Sequence, residues 1–402
     1  MTFAPLVCWL VVNSVPYHDA RARAAADAGD LRICMAQLTD VDAFRVLQQP
    51  KESQSFRRVT LFPNTPLAEI RGRAMARRVW SCFDELKPDV VCLNGWSFGG
   101  AIAALGWSLS RRVPTIIMSE STEIDDRRQW WLEAVKRRIV ALCSAALVGG
   151  TPHLEYMVVL GSAAEQVFTG YDAVDNGYFS SGAAAARRQD EQLRAALGLP
   201  VRYFLACARF SSKKNLLRLM EAFAIYRGLH GAEAWSLVIV GDGELRLELM
   251  SARDRLGLAD HAFLPGAKPY RELPAYYGLA GAFVHASTTE QWGLVVNEAM
   301  ASGLPVLVSK RCGCAGDLVK EGCNGFLFDP YDTCSMAAAL HRIATRGQAL
   351  DEMGRRSREI IARWSPENFA KNLARAATAA LSATPPKPSI LDRTLVSVLS
   401  TR

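Results

Sequence analysis

Apolar residues fall along this chain in short runs separated by stretches of helical spacing, and the alternation continues over nearly its whole length. Runs rich in Val, Ile and Leu at residues 6–12, 31–35, 90–93, 115–118 and 146–148 read as buried strands. The pattern restarts at residues 203–207. Helical positions Leu216, Leu217, Leu219, Met220, Ala222 and Phe223 follow, and then the strands Val238-Ile239-Val240 and Ala282-Phe283-Val284-His285. Strands apolar on both faces, alternating with helices, predict parallel sheets covered on both sides. The Ala-rich stretch 182–186 separates the two series, so a hinge is expected within residues 178–200, with domains at 1–185 and 186–365. One more helix, 366–381, is broken by Ser382-Ala383-Thr384-Pro385-Pro386-Lys387-Pro388. Residues 391, 395, 398 and 399 beyond it are apolar at helical spacing, which suits docking on the body or on a membrane, but the expected state of this end, within a closing segment 366–402, is a frayed tail.

Composition agrees with two cores: 402 residues, half of them hydrophobic, exceed what one core usually organises. Charge adds an exclusion. Residues 1–185 hold 19 Lys or Arg against 19 Asp or Glu, so the net +7 falls on the remainder, 28 against 21. No basic tract dominates, which disfavours nucleic acid as a partner. The stretch from Arg127-Arg128-Gln129-Trp130-Trp131 to Lys136-Arg137-Arg138-Ile139-Val140 has two readings. It suits anionic lipid, with tryptophans at the headgroup level, and it suits an ordinary amphipathic helix with Trp131, Val135, Ile139 and Leu142 facing a sheet; the second is expected. The amino end carries no charged lead or cleavage site, and its apolar run 5–12 is too short to span a bilayer. A cytoplasmic place is expected, with a peripheral one at the inner face of the membrane as its variant. Ten cysteines, several of them in strands (Cys8, Cys34, Cys92, Cys207), read as small core residues, and Cys312-Gly313-Cys314 as a turn without a zinc pattern.

The candidate chemistry lies in the run Ser287-Thr288-Thr289-Glu290-Gln291-Trp292-Gly293-Leu294-Val295-Val296-Asn297-Glu298. Glu290 stands just past the carboxyl end of the strand 282–285, where ligands of open α/β sheets bind. Residues 294–302 are good helix formers stopped by Gly303 and Pro305, which puts Glu298 about one turn inside that helix. A diphosphate suits the free N–H groups of Gly293, Leu294 and Val295 at the helix start, and Gly293 lets the backbone come close. Two carboxylates beside it suit sugar and ribose hydroxyls, whereas a bare phosphate site would repel them. Upstream, Arg209 and Lys214 follow the strand 203–207 and can neutralise a diphosphate without a metal.

With these residues in place, the segment from about 202 to 330 resembles the retaining glycosyltransferases of family 4, whose signature is two glutamates separated by seven residues. The resemblance implies the GT-B fold: two Rossmann-like, doubly wound α/β domains facing across a cleft, acceptor side first and nucleotide-sugar donor side second, with the closing helix crossing back onto the first. It implies that Glu290 contacts the donor sugar and Glu298 the ribose, and that Arg209 and Lys214 bind the diphosphate. Trp292, Gly241 after the strand 238–240, and Gly266 with Ala267 complete the implied donor set. The implied reaction moves a hexose-type sugar from a nucleoside-diphosphate sugar, UDP before GDP, to a glycan or lipid-linked hydroxyl, with retention and with neither cofactor nor metal.

The amino domain departs from the family. A glycine-rich loop is replaced by Asn13-Ser14-Val15-Pro16-Tyr17-His18-Asp19, where His18, with Tyr17, reads equally as a contact to a substrate phosphate or hydroxyl and as a solvated loop residue. Where members often carry a histidine after the fourth strand, this chain has Ser119-Glu120. Asn94 to Gly100 suits an acceptor wall or a plain strand-to-helix turn. Asp40-Val41-Asp42 resembles the metal-binding triplet of the other main glycosyltransferase fold, a pattern expected about once by chance. A sugar-nucleotide epimerase, a phosphorylase and a non-catalytic binding protein remain as alternatives, distinguished by acceptor independence, phosphate dependence and indifference to Glu298→Ala.

Overall fold

Seven parallel strands make the first sheet, in the order β3-β2-β1-β4-β5-β6-β7: β1 Leu6–Val11, β2 Arg32–Thr39, β3 Arg57–Phe62, β4 Val90–Asn94, β5 Thr115–Ser119, β6 Ala145–Val148 and β7 Val167–Thr169. Six more make the second, in the order β10-β9-β8-β11-β12-β13: β8 Tyr203–Cys207, β9 Ser236–Val240, β10 Ala262–Gly266, β11 Ala282–His285, β12 Val306–Ser309 and β13 Gly325–Phe328. The computed structural model describes residues 4–41 and 55–401. Both sheets are doubly wound, as the apolar runs predict, because strands buried on both faces need helices on both sides.

The chain divides into two units, Met1–Ala173 with Ser365–Arg402, and Val174–Trp364. In the first, helices α1 (Pro16–Asp27), α2 (Gly72–Leu86), α3 (Gly99–Arg111) and α4 (Trp130–Ala141) flank the sheet. The helix Pro366–Ser382 covers the α1 side, burying Phe369, Leu373, Ala376 and Ala377 against Val7, Trp9 and Met35. Trp9 meets Tyr171 at a ring distance of 6.4 Å and Phe369 at 5.6 Å.

Three expectations need correction. The second unit begins at Val174, before the expected boundary at 186, because the Ala-rich stretch is no linker. It lies in the helix Asn176–Arg188, whose small residues admit the helix Leu273–Leu279 closely. A Cβ on Gly182 would lie 2.5 Å from Pro274, and one on Gly278 2.7 Å from the Ala183 carbonyl. The tail is a docked helix, Ile390–Leu399. A capping box fixes its start, with Ser389 N–H donating to Asp392 (2.9 Å) and Asp392 N–H to Ser389 Oγ (3.2 Å), and Val396 buries against α3 above Gly106. In α4, Ile139 and Val140 are buried and Leu142 just beyond joins them, but Trp131 does not face the sheet: it is 48% exposed, and Trp130 83%.

β3 and β7 are edge strands that the apolar pattern does not announce, since Arg57 and Arg58 open one and the other has only three residues. All ten cysteines are free, and eight of them are at least partly buried. Among the described residues no helix is long and apolar enough to cross a membrane.

Candidate active site

In the second sheet the winding reverses between β8 and β11, whose strands lie side by side, and the loops leaving these two carboxyl ends carry the predicted residues. A crevice at such a reversal is where doubly wound sheets take ligands. From β8 the chain runs through Arg209 to a single 3-10 turn, Ser212–Lys214, which ends at Asn215 in the left-handed region (φ 59°) and opens the helix Leu216–His230. The Asn215 side-chain amide donates to the Ala286 carbonyl (3.1 Å) and the Pro330 carbonyl (2.7 Å), while Thr288 N–H donates to the Lys213 carbonyl (2.9 Å). The β8 and β11 loops are thereby locked in register.

Two glycines hold the β9 loop against the β8 loop. Gly241 (φ 145°) and Gly243 (φ 155°) press backbone on backbone, where a Cβ would collide with the Ala208 carbonyl at the first and lie 2.6 Å from the Phe210 carbonyl at the second. Phe210 N–H donates to Asp242 (2.8 Å) and Ala208 N–H to Val240 (3.0 Å). Gly241 thus shapes the loop that carries Arg209. The Gly266 carbonyl accepts from Gly241 N–H (3.1 Å), and Ala267 is exposed beside it.

Glu290 lies at the centre. One carboxylate oxygen, Oε2, takes the Lys214 ammonium and also meets His285 Nε2 at 3.2 Å and the Ser287 hydroxyl at 3.3 Å. Burial pushes its carboxyl up, but His285 and Lys214 outweigh this and hold it below the ordinary carboxylate range. Burial pushes the His285 imidazole down, against the pull of Glu290. The Glu290 backbone is tied to the β12 loop, since Gly313 N–H donates to its carbonyl (3.0 Å). Gly293, at φ 107°, caps the helix Leu294–Ala301, and no hydrogen bond within the described residues uses the N–H of Gly293, Leu294 or Val295.

Glu298, fifth in that helix, is 7% exposed, and the Tyr277 hydroxyl donates to its Oε2 at 2.7 Å. Burial raises its pKa to about 7, only partly opposed by that hydrogen bond. Trp292, expected in the donor set, is 1% exposed: its indole N–H donates to Asn297 (2.9 Å) and its ring packs 6.1 Å from Trp364. It fastens the loop from inside, because an indole this large is best buried with its N–H satisfied.

The structure therefore brings together Lys214, Glu290, Gly293, Leu294 and Val295, with Glu298 one turn along; Arg209 stands exposed on the same β8 loop. His285, Ser287 and Tyr277 complete the polar cluster and were not anticipated. His285 closes a four-residue strand and reads as core, and Tyr277 is apolar in pattern; only the structure reveals their hydroxyl or ring nitrogen turned to a glutamate.

The amino-terminal unit's strand ends differ. His18 lies not in a loop but in the first turn of α1, 8% exposed, with its ring 5.3 Å from Trp9 and 4.7 Å from Tyr17. Burial, then Arg21, lowers its pKa to about 3, so it is neutral. Arg21, wholly buried, donates to the Ala173 carbonyl (2.8 Å), lies 3.7 Å from Asp172 and covers the Tyr171 ring at 4.7 Å. Asn94 accepts from the Tyr171 hydroxyl (3.0 Å), and the segment after it is a strand-to-helix turn into α3. Of the triplet 40–42, Asp40 accepts from Asn64 N–H (2.7 Å), while Asp42 lies outside the described residues. Among the described residues no three His, Cys, Asp or Glu side chains gather as a metal-binding group.

Residues 189–360 match the family described as glycosyl transferases group 1. Over 164 residues the chain is 34% identical to the amylovoran biosynthesis glycosyltransferase AmsK of Erwinia amylovora, covering 39% of each. Over 203 residues it is 33% identical to the D-inositol 3-phosphate glycosyltransferase of Thermobifida fusca (strain YX), covering 48% of this chain and 45% of that one. The matches span less than half the length of these curated relatives. Among solved structures, Anabaena HepE in complex with UDP and glucose aligns with a TM-score of 0.72 over 93% of this chain and all of its own, at 19% identity. Sucrose-phosphate synthase from Thermosynechococcus elongatus aligns at 0.72 over 92% and 98%, at 21% identity. Likeness at such identities is likeness of fold.

Proposed function

We propose, for a chain of GT-B fold whose residues 189–360 form a glycosyl transferases group 1 domain, that it moves a hexose-type sugar from a nucleoside-diphosphate sugar to a hydroxyl acceptor with retention at the anomeric carbon. The observation that carries this reading is the Lys214–Glu290 pair beside a helix amino end with three unused N–H groups, all at the switch point of the second sheet. Such an end attracts a diphosphate, and Lys214 with Arg209 adds the charge that a leaving diphosphate requires. When the diphosphate takes Lys214, Glu290 Oε2 is freed for a sugar hydroxyl. Glu298 then takes the ribose, for which one carboxyl can serve as acceptor and, near neutral pH, as donor.

The reaction in this reading is front-side. The diphosphate oxygen receives the acceptor proton while positioning and charge stabilisation carry the rate, with no covalent nucleophile and no metal. Uridine is the proposed base, by analogy with the UDP held by the fold relative, and a glycan or lipid-linked oligosaccharide is the proposed acceptor class. The proposed setting is cytoplasmic.

The test is thermal stabilisation by UDP, GDP, TDP and ADP and their sugar conjugates, with and without EDTA, in wild type and Glu298→Ala. A selective rise that survives EDTA and is lost in the variant supports the reading. No shift with any nucleotide in the wild type removes it.

A further inference from the structure

One face of the amino-terminal unit combines features that no part of the donor chemistry uses. Trp130 (83% exposed) and Trp131 open α4 into solvent, and Ile390 (84%), Leu391 and Val398 do the same on the terminal helix Ile390–Leu399. The ion pair of Arg138 with Asp392, 2.7 Å, joins the two helices. Trp131 and Arg138 are seven positions apart, on one stripe of α4 about 10 Å long. The terminal helix in turn packs on α3, and with α2 it borders a groove of about 1130 Å3. Ala76, Trp80, Leu109 and Val396 give that groove an apolar lining, and Arg73, Arg77 and Arg393 stand at it.

Charge on this face is divided unequally. Arg73, Arg77, Arg137, Lys387 and Arg393 make no ion pair among the described residues. The acids are occupied: Asp84 by Arg111 and Trp107, Glu85 by Ser81, Glu133 by Lys136 and Tyr156, and Asp392 by Arg138 and Ser389. Glu85 keeps its charge, because a hydroxyl does not neutralise it, so the charge left over among these groups is five cations against one carboxylate. A soluble polyanion would satisfy it but would leave five large apolar side chains in water. A bilayer with anionic headgroups satisfies both, since tryptophan sits at the headgroup level and each nearby arginine or lysine adds attraction to the surface.

We propose that this face, made by α2, α4 and the terminal helix, docks the protein on an anionic lipid surface, with Trp130, Trp131, Ile390 and Leu391 entering the interface and Arg73, Arg77 and Arg393 holding lipid phosphates at the groove. The proposal rests on the surface of the amino-terminal unit and stands apart from the donor reading.

Co-sedimentation of the full chain with vesicles tests it. Vesicles of phosphatidylcholine with about 30% phosphatidylglycerol are compared with pure phosphatidylcholine, at about 0.1 M and about 0.5 M salt. Binding to the anionic vesicles only, released by the higher salt, is expected. Trp130→Ala with Trp131→Ala, Ile390→Glu with Leu391→Glu, and the triple Arg73→Gln, Arg77→Gln, Arg393→Gln should each weaken it by roughly tenfold or more. All these positions are exposed, and a cooperative thermal unfolding transition like that of wild type, read in parallel, verifies that each variant is folded. Equal binding to both vesicle types, no binding to either, or variants that bind like wild type would overturn the proposal. So would release by inorganic phosphate at constant ionic strength, which would make the groove a site for a free anion.

Discussion

The carboxyl ends of the two sheets face opposite tasks. At the second sheet, polar groups are gathered but not used up: Lys214 leans on a glutamate that a ligand could replace, and a helix start offers three unused N–H groups. At the first sheet the corresponding cation and imidazole are buried instead. Arg21 is sealed against Asp172 and Tyr171, Asn94 is bound by Tyr171, and His18 is neutral between two aromatic rings. A cation at a strand end is therefore no guide to chemistry by itself; whether its partner is exchangeable decides.

The largest expected effect breaks this contrast if it fails. Lys214→Met should lower sugar-transfer turnover by on the order of 10²–10³-fold, because it removes a charge that stabilises the leaving diphosphate, with a smaller loss of stability because Glu290 loses its ammonium partner. Arg21→Met should do the reverse, costing about 3 kcal/mol in denaturant unfolding because the buried guanidinium's hydrogen bond to the Ala173 carbonyl and its cover of the Tyr171 ring are lost. Turnover per folded molecule should stay within a few-fold of wild type. If Arg21→Met proved silent in stability and crippling in turnover, the amino-terminal unit would hold the reactive cation.

A second pair compares glycines. Gly241→Ala drives a methyl into the Ala208 carbonyl and should destabilise by about 2–4 kcal/mol while abolishing nucleotide stabilisation. Gly95→Ala meets nothing closer than 3.9 Å and should cost only the left-handed conformation, about 1 kcal/mol.

The third pair sharpens the contrast through pH. Glu298 titrates near 7 when folded against an ordinary 4.5, so the folded state binds the extra proton and stability falls as pH rises between those values. His18 titrates near 3 against 6.5, so the unfolded state binds the extra proton and stability falls as pH drops between 6.5 and 3. The two windows amount to about 3 kcal/mol for Glu298 and about 5 kcal/mol for His18. Glu298→Gln should flatten the first and His18→Phe the second, measured by urea unfolding from pH 4 to 8. The same sign in both would overturn the burial argument.

Most of the layered fold is legible in the apolar runs, since a strand covered on both faces has to be apolar throughout. The candidate site residues are legible too, because Glu290, Gly293 and Glu298 draw attention through local order along the chain. What escapes is whatever depends on distant partners. The Ala-rich stretch reads as a linker until the small residues of Leu273–Leu279 are seen against it, and Trp292 reads as a ligand contact until Trp364 and Asn297 enclose it. Arg57 and Arg58 conceal an edge strand, because an edge needs little apolar surface. The terminal helix is hidden by its flanking prolines and by having a single fully buried apolar residue, Val396.

The first unit closes with the helix Pro366–Ser382, so the second unit, Val174–Trp364, is an uninterrupted insertion in it. A chain emerging from the ribosome has made all seven strands of the first sheet nearly two hundred residues before the cover for Trp9 and Tyr171 exists. The inserted unit, whose strands and helices are contiguous, can finish first. Completion of the two units is then expected in the reverse of the order in which their synthesis begins. During that interval the bare aromatic face is the surface a chaperone would find and a protease would reach.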